Sequence, residues 1–480
     1  MLINFMCQYP DFRRVFKRNR PRVSGAPAIL LSTVAMFLVS VTEAVAAPKV
    51  ADPAVNGQSY GPPRPDAAAQ SPDIAEVGPV APGIPAILHE LAVTTSATHP
   101  QVKSLEGRIR AAGYDVRGAK WLRFPSLTVE ALAITRGSAN SAQDGTVLNA
   151  VIEQPIWAGG RIGAAIDRAK AQLLVQRAGL DEVARDLSLR VVQAYFEVAA
   201  TARRSEILKD ALARHRELSD TIGRRVQQQI SPRSDLDLAM ARAAQIEQQL
   251  ALAQAQRSGA VNTLTELTGD TNLLLGDVPA YDPALHHPSQ VGAVEKALAC
   301  DPRSARLSAE SVVARAEQKS AKAALLPQLI GQLSSNEVLG ERVGLALRAQ
   351  TGNGLSQAAA AQGAGERARA SQEAIVSAQR ELREALRLDF VNNAAARQRI
   401  GSAAIAATSS LFVVESYKRQ FIAGRRTWLD VMNALQESTN MRLAIVDSET
   451  SAQLTAARIA LRTCTWQPRL LADRTEPNHG

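Results

Sequence analysis

Asp235 and Asp430 stand 195 residues apart in similar surroundings. One lies in Gln-Gln-Gln-Ile-Ser-Pro-Arg-Ser-Asp-Leu, the other in Phe-Ile-Ala-Gly-Arg-Arg-Thr-Trp-Leu-Asp-Val. Each carboxylate follows a break between two long helical patterns, where it either caps the next helix or presents charge at a turn. The other chemistry-bearing residues form no constellation. The six His are scattered, and the pair His286-His287 reads as a solvated linker pair rather than a metal site. No Gly-x-x-x-x-Gly-Lys-Ser/Thr, Gly-x-Gly-x-x-Gly or Gly-x-Ser-x-Gly is present, so no phosphate cradle or nucleophile elbow is expected. No cofactor and no metal are expected, and an enzyme has no support. Three Cys exclude a disulfide scaffold, and the spacing of Cys300 and Cys464 leaves their pairing open.

The chain has 480 residues, 46% of them hydrophobic but only 4% aromatic, and a net charge of +9. Ala, Leu and Val dominate the apolar content, which suits long helices packed side by side. Part of the basic excess lies in residues 1–46, where Arg13, Arg14, Lys17, Arg18, Arg20 and Arg22 outweigh Asp11 and Glu43. The remainder is thinly spread, with no basic stripe interleaved with aromatics, so no nucleic-acid partner is expected. Within 1–46 a basic run precedes about 16 apolar residues and Ala44-Val45-Ala46, the order of a signal peptide cleaved after Ala46. The apolar run is shorter than the ~20 residues of a spanning helix. Residues 47–85 hold nine of the 23 prolines and read as a disordered or extended linker.

The rest repeats internally. At an offset of 202, Pro100 meets Pro302, Lys120 meets Lys322 and Pro125 meets Pro327; at 195, Asp235 meets Asp430. The difference is seven residues, read here as one heptad lost from a coil. The expected units are 86–275 and 291–467, joined by 276–290 and followed by a tail, 468–480. Each unit runs helix, Pro, strand pair, long helix, break, second long helix. Strands are expected at Thr128–Thr135, which is rich in β-formers, at Leu329–Ser335, and at Val147–Trp157 and Arg342–Ala349, the last two with one apolar and one polar face. That pattern fits a half-buried soluble hairpin or a barrel strand between lipid and water. Helices are expected over Arg161–Val226, Leu236–Leu267, Glu366–Phe421 and Leu429–Arg462. Ile166, Leu173, Leu180, Leu187 and Ala194 mark one heptad seam; its companion positions, including Gln176 and Arg190, are mixed. Tyr195-Phe196, mid-helix, reads as packing.

Two segments carry a family resemblance. Glu153-Gln154-Pro155-Ile156-Trp157-Ala158-Gly159-Gly160-Arg161 and Phe421 to Asn433 resemble the outer-membrane efflux proteins whose type member is TolC. The stretch from Tyr417 to Glu437 looks most like the branch serving type I protein secretion. The resemblance implies a mostly α fold with a small β part: a long-helix α-barrel continuing into a trimeric 12-stranded transmembrane β-barrel, four strands per chain. It implies an outer-membrane protein that extends into the periplasm as a passive exit duct. The implied partners are two further copies of itself, outer-membrane lipid, a periplasmic adaptor protein and an inner-membrane ABC transporter, or an RND pump if the duct serves drug or metal efflux. A soluble periplasmic coiled-coil adaptor or scaffold is the alternative of a different class.

The resemblance also assigns roles. Pro155 would end strand pairing, and Gly159 and Gly160 would let the backbone swivel into the helix. The periplasmic tips would be the turns holding Gln229, Ile230 and Ser231, and Gly424, Arg425 and Thr427, where an adaptor docks. Asp430 would form a ring of carboxylates at the entrance or cap its helix, with Asn433 one turn on where some relatives carry a second acid. Arg426 would bind Asp235 and hold the entrance shut, or lie solvated beside Arg425. Phe421 stands where many relatives have Tyr, and Gln229 where the first turn often has Gly.

Overall fold

The computed structural model describes residues 78–134, 145–273, 279–336, 340–349 and 355–469, all within one unit, Gln70–Gly480. The expected signal peptide, most of the linker and nearly all of the C-terminal tail lie outside these residues. In order, the elements are α1 (Ala86–Thr98), α2 (Pro100–Trp121), β1 (Ser126–Ile134), β2 (Gly145–Trp157), α3 (Arg161–Gln227), α4 (Arg233–Thr268), α5 (Ala293–Cys300), α6 (Pro302–Ala323), β3 (Gln328–Asn336), β4 (Gly340–Arg348), α7 (Ser356–Ile422) and α8 (Trp428–Arg462). Ala81 and Ile84, expected in the linker, are buried in the core against α1, so the packed unit starts earlier than the composition shift suggested.

The repeat is kept in the order of its elements and in the length of its main helices. α2 and α6 both span 22 residues, and α3 and α7 both span 67, about 100 Å of helix each. The seven missing residues are not a lost heptad. The segment between β1 and β2 is 135–144, and that between β3 and β4 is 337–339, so the whole difference falls in the connection between strands. Losing it there leaves every helix register intact. α7 starts at Ser356, ten residues before the expected Glu366, because the Ala-rich run 358–361 carries the helix through Gly363 and Gly365.

Caps follow the repeat as well. Pro100 and Pro302 open α2 and α6 at the first helical position. His99 Nδ1 accepts from the Gln101 N–H at 3.2 Å, and the Asp301 carboxylate accepts from the Ser304 N–H at 2.8 Å. In α3, Ile166, Leu180, Leu187 and Ala194 are buried while Gln176 is half-buried and Arg190 exposed, which is the seam and its leak. Tyr195 and Phe196 lie fully inside the largest cluster, with Leu88, Leu187, Leu264 and Trp466. There the Trp466 Nε1–H donates to His89 Nδ1 at 2.9 Å.

The four strands form one antiparallel sheet in the order β1-β2-β3-β4, so the two repeats pair through β2 and β3 rather than forming separate hairpins. Pairing does not end at Pro155. The ladder runs on to Trp157, which faces Leu329, and the register shifts between Pro155 and Trp157. Proline has no N–H for the ladder, and a bulge absorbs the missing rung.

Candidate functional site

The sheet has two chemically distinct faces. Leu127, Ile152, Leu333 and Val343 form one row straight across it, and Trp157, Leu329 and Leu347 another on the same face. Val343, Leu345 and Leu347 are 83%, 70% and 71% exposed, and no helix covers them. The opposite face carries the rows Ser126, Glu153, Gln332 and Thr128, Val151, Ser334, Arg342, with Arg348 3.3 Å from Glu153. Strands of nine residues at about 3.3 Å each, tilted as in a barrel, match an apolar band of about 25 Å. β1 and β4 leave two unpaired edges, which are untenable in hydrocarbon unless another chain completes them.

Below the sheet, Gly159 and Gly160 take φ of +59° and +86° at the start of α3. A Cβ on Gly159 would sit 3.0 Å from the Leu326 Cβ, so the swivel needs glycine there for space as well as for φ.

The far ends of α3 and α7 are closed by one turn used twice. Ile230 N–H donates to Arg225 O at 2.8 Å and Gln229 N–H to Val226 O at 3.0 Å. Arg425 N–H donates to Gln420 O at 2.9 Å and Gly424 N–H to Phe421 O at 3.0 Å. These paired bonds are a Schellman closure, which needs a left-handed residue after the helix. Gly424 supplies it at φ +70°, and Gln229 adopts it at +59°. Under both turns lies one apolar cluster of Leu218, Ile222, Ala239, Phe421, Trp428, Val431 and Met432. Phe421 is buried there with Arg225 over its ring at 5.2 Å, a contact that needs no hydroxyl.

The two acids diverge. Asp430 completes a capping box: its N–H donates to Thr427 Oγ1 at 3.2 Å and the Thr427 backbone N–H donates back to its carboxylate at 3.3 Å, with the Thr427 hydroxyl also 2.8 Å from that carboxylate. Hydrogen bonding from Thr427 holds the Asp430 carboxyl below its usual range, helped by Arg426 and opposed by partial desolvation. In the first tip Pro232 occupies the cap position and has no side chain for this role. The expected bond between Arg426 and Asp235 is not made within the chain. Arg426 lies 3.6 Å from Asp430, 3.4 Å from Gln420 Oε1 and over the Tyr417 ring at 4.2 Å. All three lie within about two turns of the tip, so the guanidinium is satisfied locally. Ile230, Arg425 and Asn433 are exposed at the same end, and Ser231 is half-buried.

Residues 91–270, which include β1, β2 and the first tip, match the family described as outer membrane efflux protein. Over that segment the chain is similar to the outer membrane efflux protein family. A curated relative, the outer membrane efflux protein BepC of Brucella suis biovar 1 (strain 1330), is 25% identical over 205 residues, 40% of this chain and 43% of the relative. The match thus spans less than half of that relative's length. Among solved structures, the outer-membrane channel OprN superposes with a TM-score of 0.70 at 17% identity, covering 80% of this chain and 90% of OprN. VceC from Vibrio cholerae gives 0.68 at 17% identity, covering 78% and 96%. The likeness in fold extends over both repeats. The relatives it resembles are outer-membrane proteins by their printed descriptions.

Some features of this chain escape a sequence reading. Cys300 and Cys464 form a disulfide with Cα atoms 6.5 Å apart. Cys464 has φ +54° at the position corresponding to Gly269, which has +74°. Around the bond lies a cluster of buried charges. Arg185 pairs with Asp301, and Asp389, 2% exposed, meets Arg462 at 3.0 Å and Arg458 at 3.3 Å. Burial pushes the Asp389 carboxyl up while Arg462 and Arg458 pull it back. An Asp at one heptad position of an otherwise apolar face was the only available signal. Among the described residues no His/Cys/Asp/Glu cluster could hold a metal.

Proposed function

We propose that the chain is the outer-membrane exit duct of a tripartite export system, a passive channel serving type I secretion of a protein substrate. One observation carries the channel reading: an exposed apolar face and two open edges on the same four-stranded sheet, continued by helices of about 100 Å. Three copies would close twelve strands. The polar face would then line the lumen, with Glu153 and Arg348 along the path. The type I assignment is supported by the resemblance of Tyr417 to Glu437 to that branch, and by the lack of a lipid-attachment Cys near Ala46. The relative's printed name, an outer membrane efflux protein, supports the rival, the outer-membrane component of a drug or metal efflux pump.

Energy would come from an inner-membrane ABC transporter, or an RND pump in the rival reading. A periplasmic adaptor would couple it at the tips, contacting Gln229, Ile230 and Ser231 in one turn and Gly424, Arg425 and Thr427 in the other. Asp430 would occur three times around the entrance with Asn433 behind it, a modest cation-attracting ring. Arg426 would hold each turn closed through Tyr417, Gln420 and Asp430, and Asp235 would face the neighbouring copy.

The test is membrane fractionation followed by unheated detergent electrophoresis and planar-bilayer recording. A heat-labile species near three chain masses in the outer membrane, with discrete conductance that rises in Arg426→Ala, supports the reading. A soluble monomer or dimer in the periplasm overturns it. Loss of one secreted protein in a deletion strain, with unchanged drug and metal sensitivity, separates type I secretion from efflux.

A further inference from the structure

The four strands bear five charged residues, and these are not spread evenly over the two faces of the sheet. Glu130, Glu153, Arg342 and Arg348 all stand at polar-face positions. The fifth, Glu341, lies at an apolar-face position, but it is the second residue of β4, beside the turn from β3. The four on the polar face are two acids and two bases, so that face carries no net charge. Each stands opposite an uncharged residue in the ladder: Glu130 faces Asn149, Glu153 faces Gln332 and Arg342 faces Ser334.

The signs are also separated by strand. Both acids come from the first repeat, on β1 and β2, and both bases from the second, on β4. The repeat shows how this arises. At the offset of 195 that aligns the two tips, Glu153 corresponds to Arg348, so one position carries opposite signs in the two halves. Glu130 corresponds to Gln332 at the offset of 202, and Arg342 to Val147 at 195, so neither repeats its charge. Arg348 and Glu153 meet at 3.3 Å, but both are partly exposed, and such a pair adds little to stability. Neutral residues would serve the ladder equally well at all four places, so their charge is left for what passes over the face.

We infer that Glu130, Glu153, Arg342 and Arg348 line the barrel section of the duct with lengthwise acidic and basic stripes of equal charge, and that this lining passes a polypeptide bearing both signs without concentrating small ions of either sign. This rests on the reading of the chain as a channel with its polar face inward, and it names the residues that set what the outer section accepts.

A lining of one sign raises the local concentration of opposite ions and holds an oppositely charged chain in place. In a balanced lining the fields of the two stripes cancel at distances beyond the screening length, about 10 Å at 0.1 M salt. Closer in, an acidic side chain in transit meets Arg342 or Arg348, and a basic one meets Glu130 or Glu153. No residue of a mixed-charge chain is then repelled from every side, and none is trapped. A small inorganic cation gains nothing from such a section, so any preference for cations is left to Asp430 at the far end of the helices.

The test reads the local potential at Ser334→Cys, opposite Arg342, in the full-length chain in outer membranes. A cationic and an anionic methanethiosulfonate of similar size are added separately, and the ratio of their rates is divided by the ratio for a small free thiol. Cys300 and Cys464 are bonded to each other and do not compete. The normalised ratio should lie near one. Arg342→Gln should raise it and Glu153→Gln should lower it, each by about threefold, the effect of one charge about 7 Å away in water. The two changes together should restore the starting ratio. A starting ratio that favours the cationic reagent by about tenfold or more, or single variants that leave the ratio unmoved, overturns the balanced lining and leaves the channel reading standing. Leu333→Cys, on the apolar face, should react far more slowly than Ser334→Cys; equal rates at the two sites overturn the channel reading itself. The cargo is tested in planar bilayers, where oligolysine and oligoglutamate of equal length, added from the outer side, should block at similar concentrations. Block by oligolysine alone refutes a duct for chains of both signs, and Arg342→Glu/Arg348→Glu should create that one-sided block.

Discussion

Gln229 and Gly424 occupy the same place in two copies of one turn, with the same pair of closing bonds and nearly the same φ. A side chain in the left-handed region costs about 1–2 kcal/mol, and glycine there gives back about 0.5–1 kcal/mol through the freedom it adds to the unfolded chain. The net gain from Gln229→Gly is therefore about 1 kcal/mol. The converse, Gly424→Ala, should cost about the same. Space does not complicate the second change, since a Cβ at Gly424 meets nothing within 4 Å. Because the turns are terminal, the effect should appear as local opening rather than global unfolding. Hydrogen exchange of the closing amides reads it directly. The Ile230 amide should exchange about fivefold more slowly in Gln229→Gly, and the Arg425 amide about fivefold faster in Gly424→Ala, each fivefold step being about 1 kcal/mol. Unchanged exchange in both variants, or faster exchange at Ile230, would refute the claim that backbone conformation limits the tips.

Removing the disulfide with Cys300→Ser and Cys464→Ser releases a loop with a sequence separation of 164 residues, worth up to about 5 kcal/mol of unfolded-chain entropy. The urea midpoint of the parent in reductant should fall to that of the double variant, and reductant should not move the variant. Asp389→Asn leaves Arg458 and Arg462 without their buried counter-charge and should cost about 3–5 kcal/mol in the same assay. His215 is fully buried, with Nδ1 2.8 Å from Ala211 O and Nε2 without a partner, and burial lowers its pKa from 6.5. Its unfolded form takes up a proton first, so stability is full above about pH 6.5 and declines as pH falls below that value. His89, lowered by burial and accepting from Trp466, acts in the same direction. The fall in urea midpoint below pH 6.5 should be smaller in His215→Leu.

Much of this fold is legible in the sequence because it repeats. Pro100 and Pro302, Pro125 and Pro327, and Asp235 and Asp430 mark equivalent places, and alternation along β2 and β4 separates the two faces without tertiary information. The position of the length difference was not legible. An alignment of Ala-rich helices tolerates a heptad shift anywhere, and only the strand pairing shows that the connection 337–339 absorbs it. The tip was legible as a turn with an acid after it. What the acid does depends on its neighbours, and Thr427 against Pro232 decides that Asp430 caps while Asp235 cannot do so in the same way. Within the chain Arg426 meets Tyr417, Gln420 and Asp430 rather than Asp235, because Tyr417 and Gln420 attract no notice in a sequence until the helix end brings them beside the guanidinium. The buried cluster around Asp389 joins residues from four helices and leaves almost no local trace.

The bond between Cys300 and Cys464 has a topological consequence. It joins the end of α5 to the residue just past α8, so α6, both later strands, α7 and the second tip all lie on one covalently closed circle. The first repeat, with Thr98 and Gly269 at the matching places, is an open thread. A protease that cuts once at the second tip leaves a single molecule of unchanged mass apart from one added water, and the fragments part only when a reductant is added. The same cut at the first tip severs the chain outright. Of the two helical tips, only the one bearing Arg426 and Asp430 can be nicked without losing its connection to the rest.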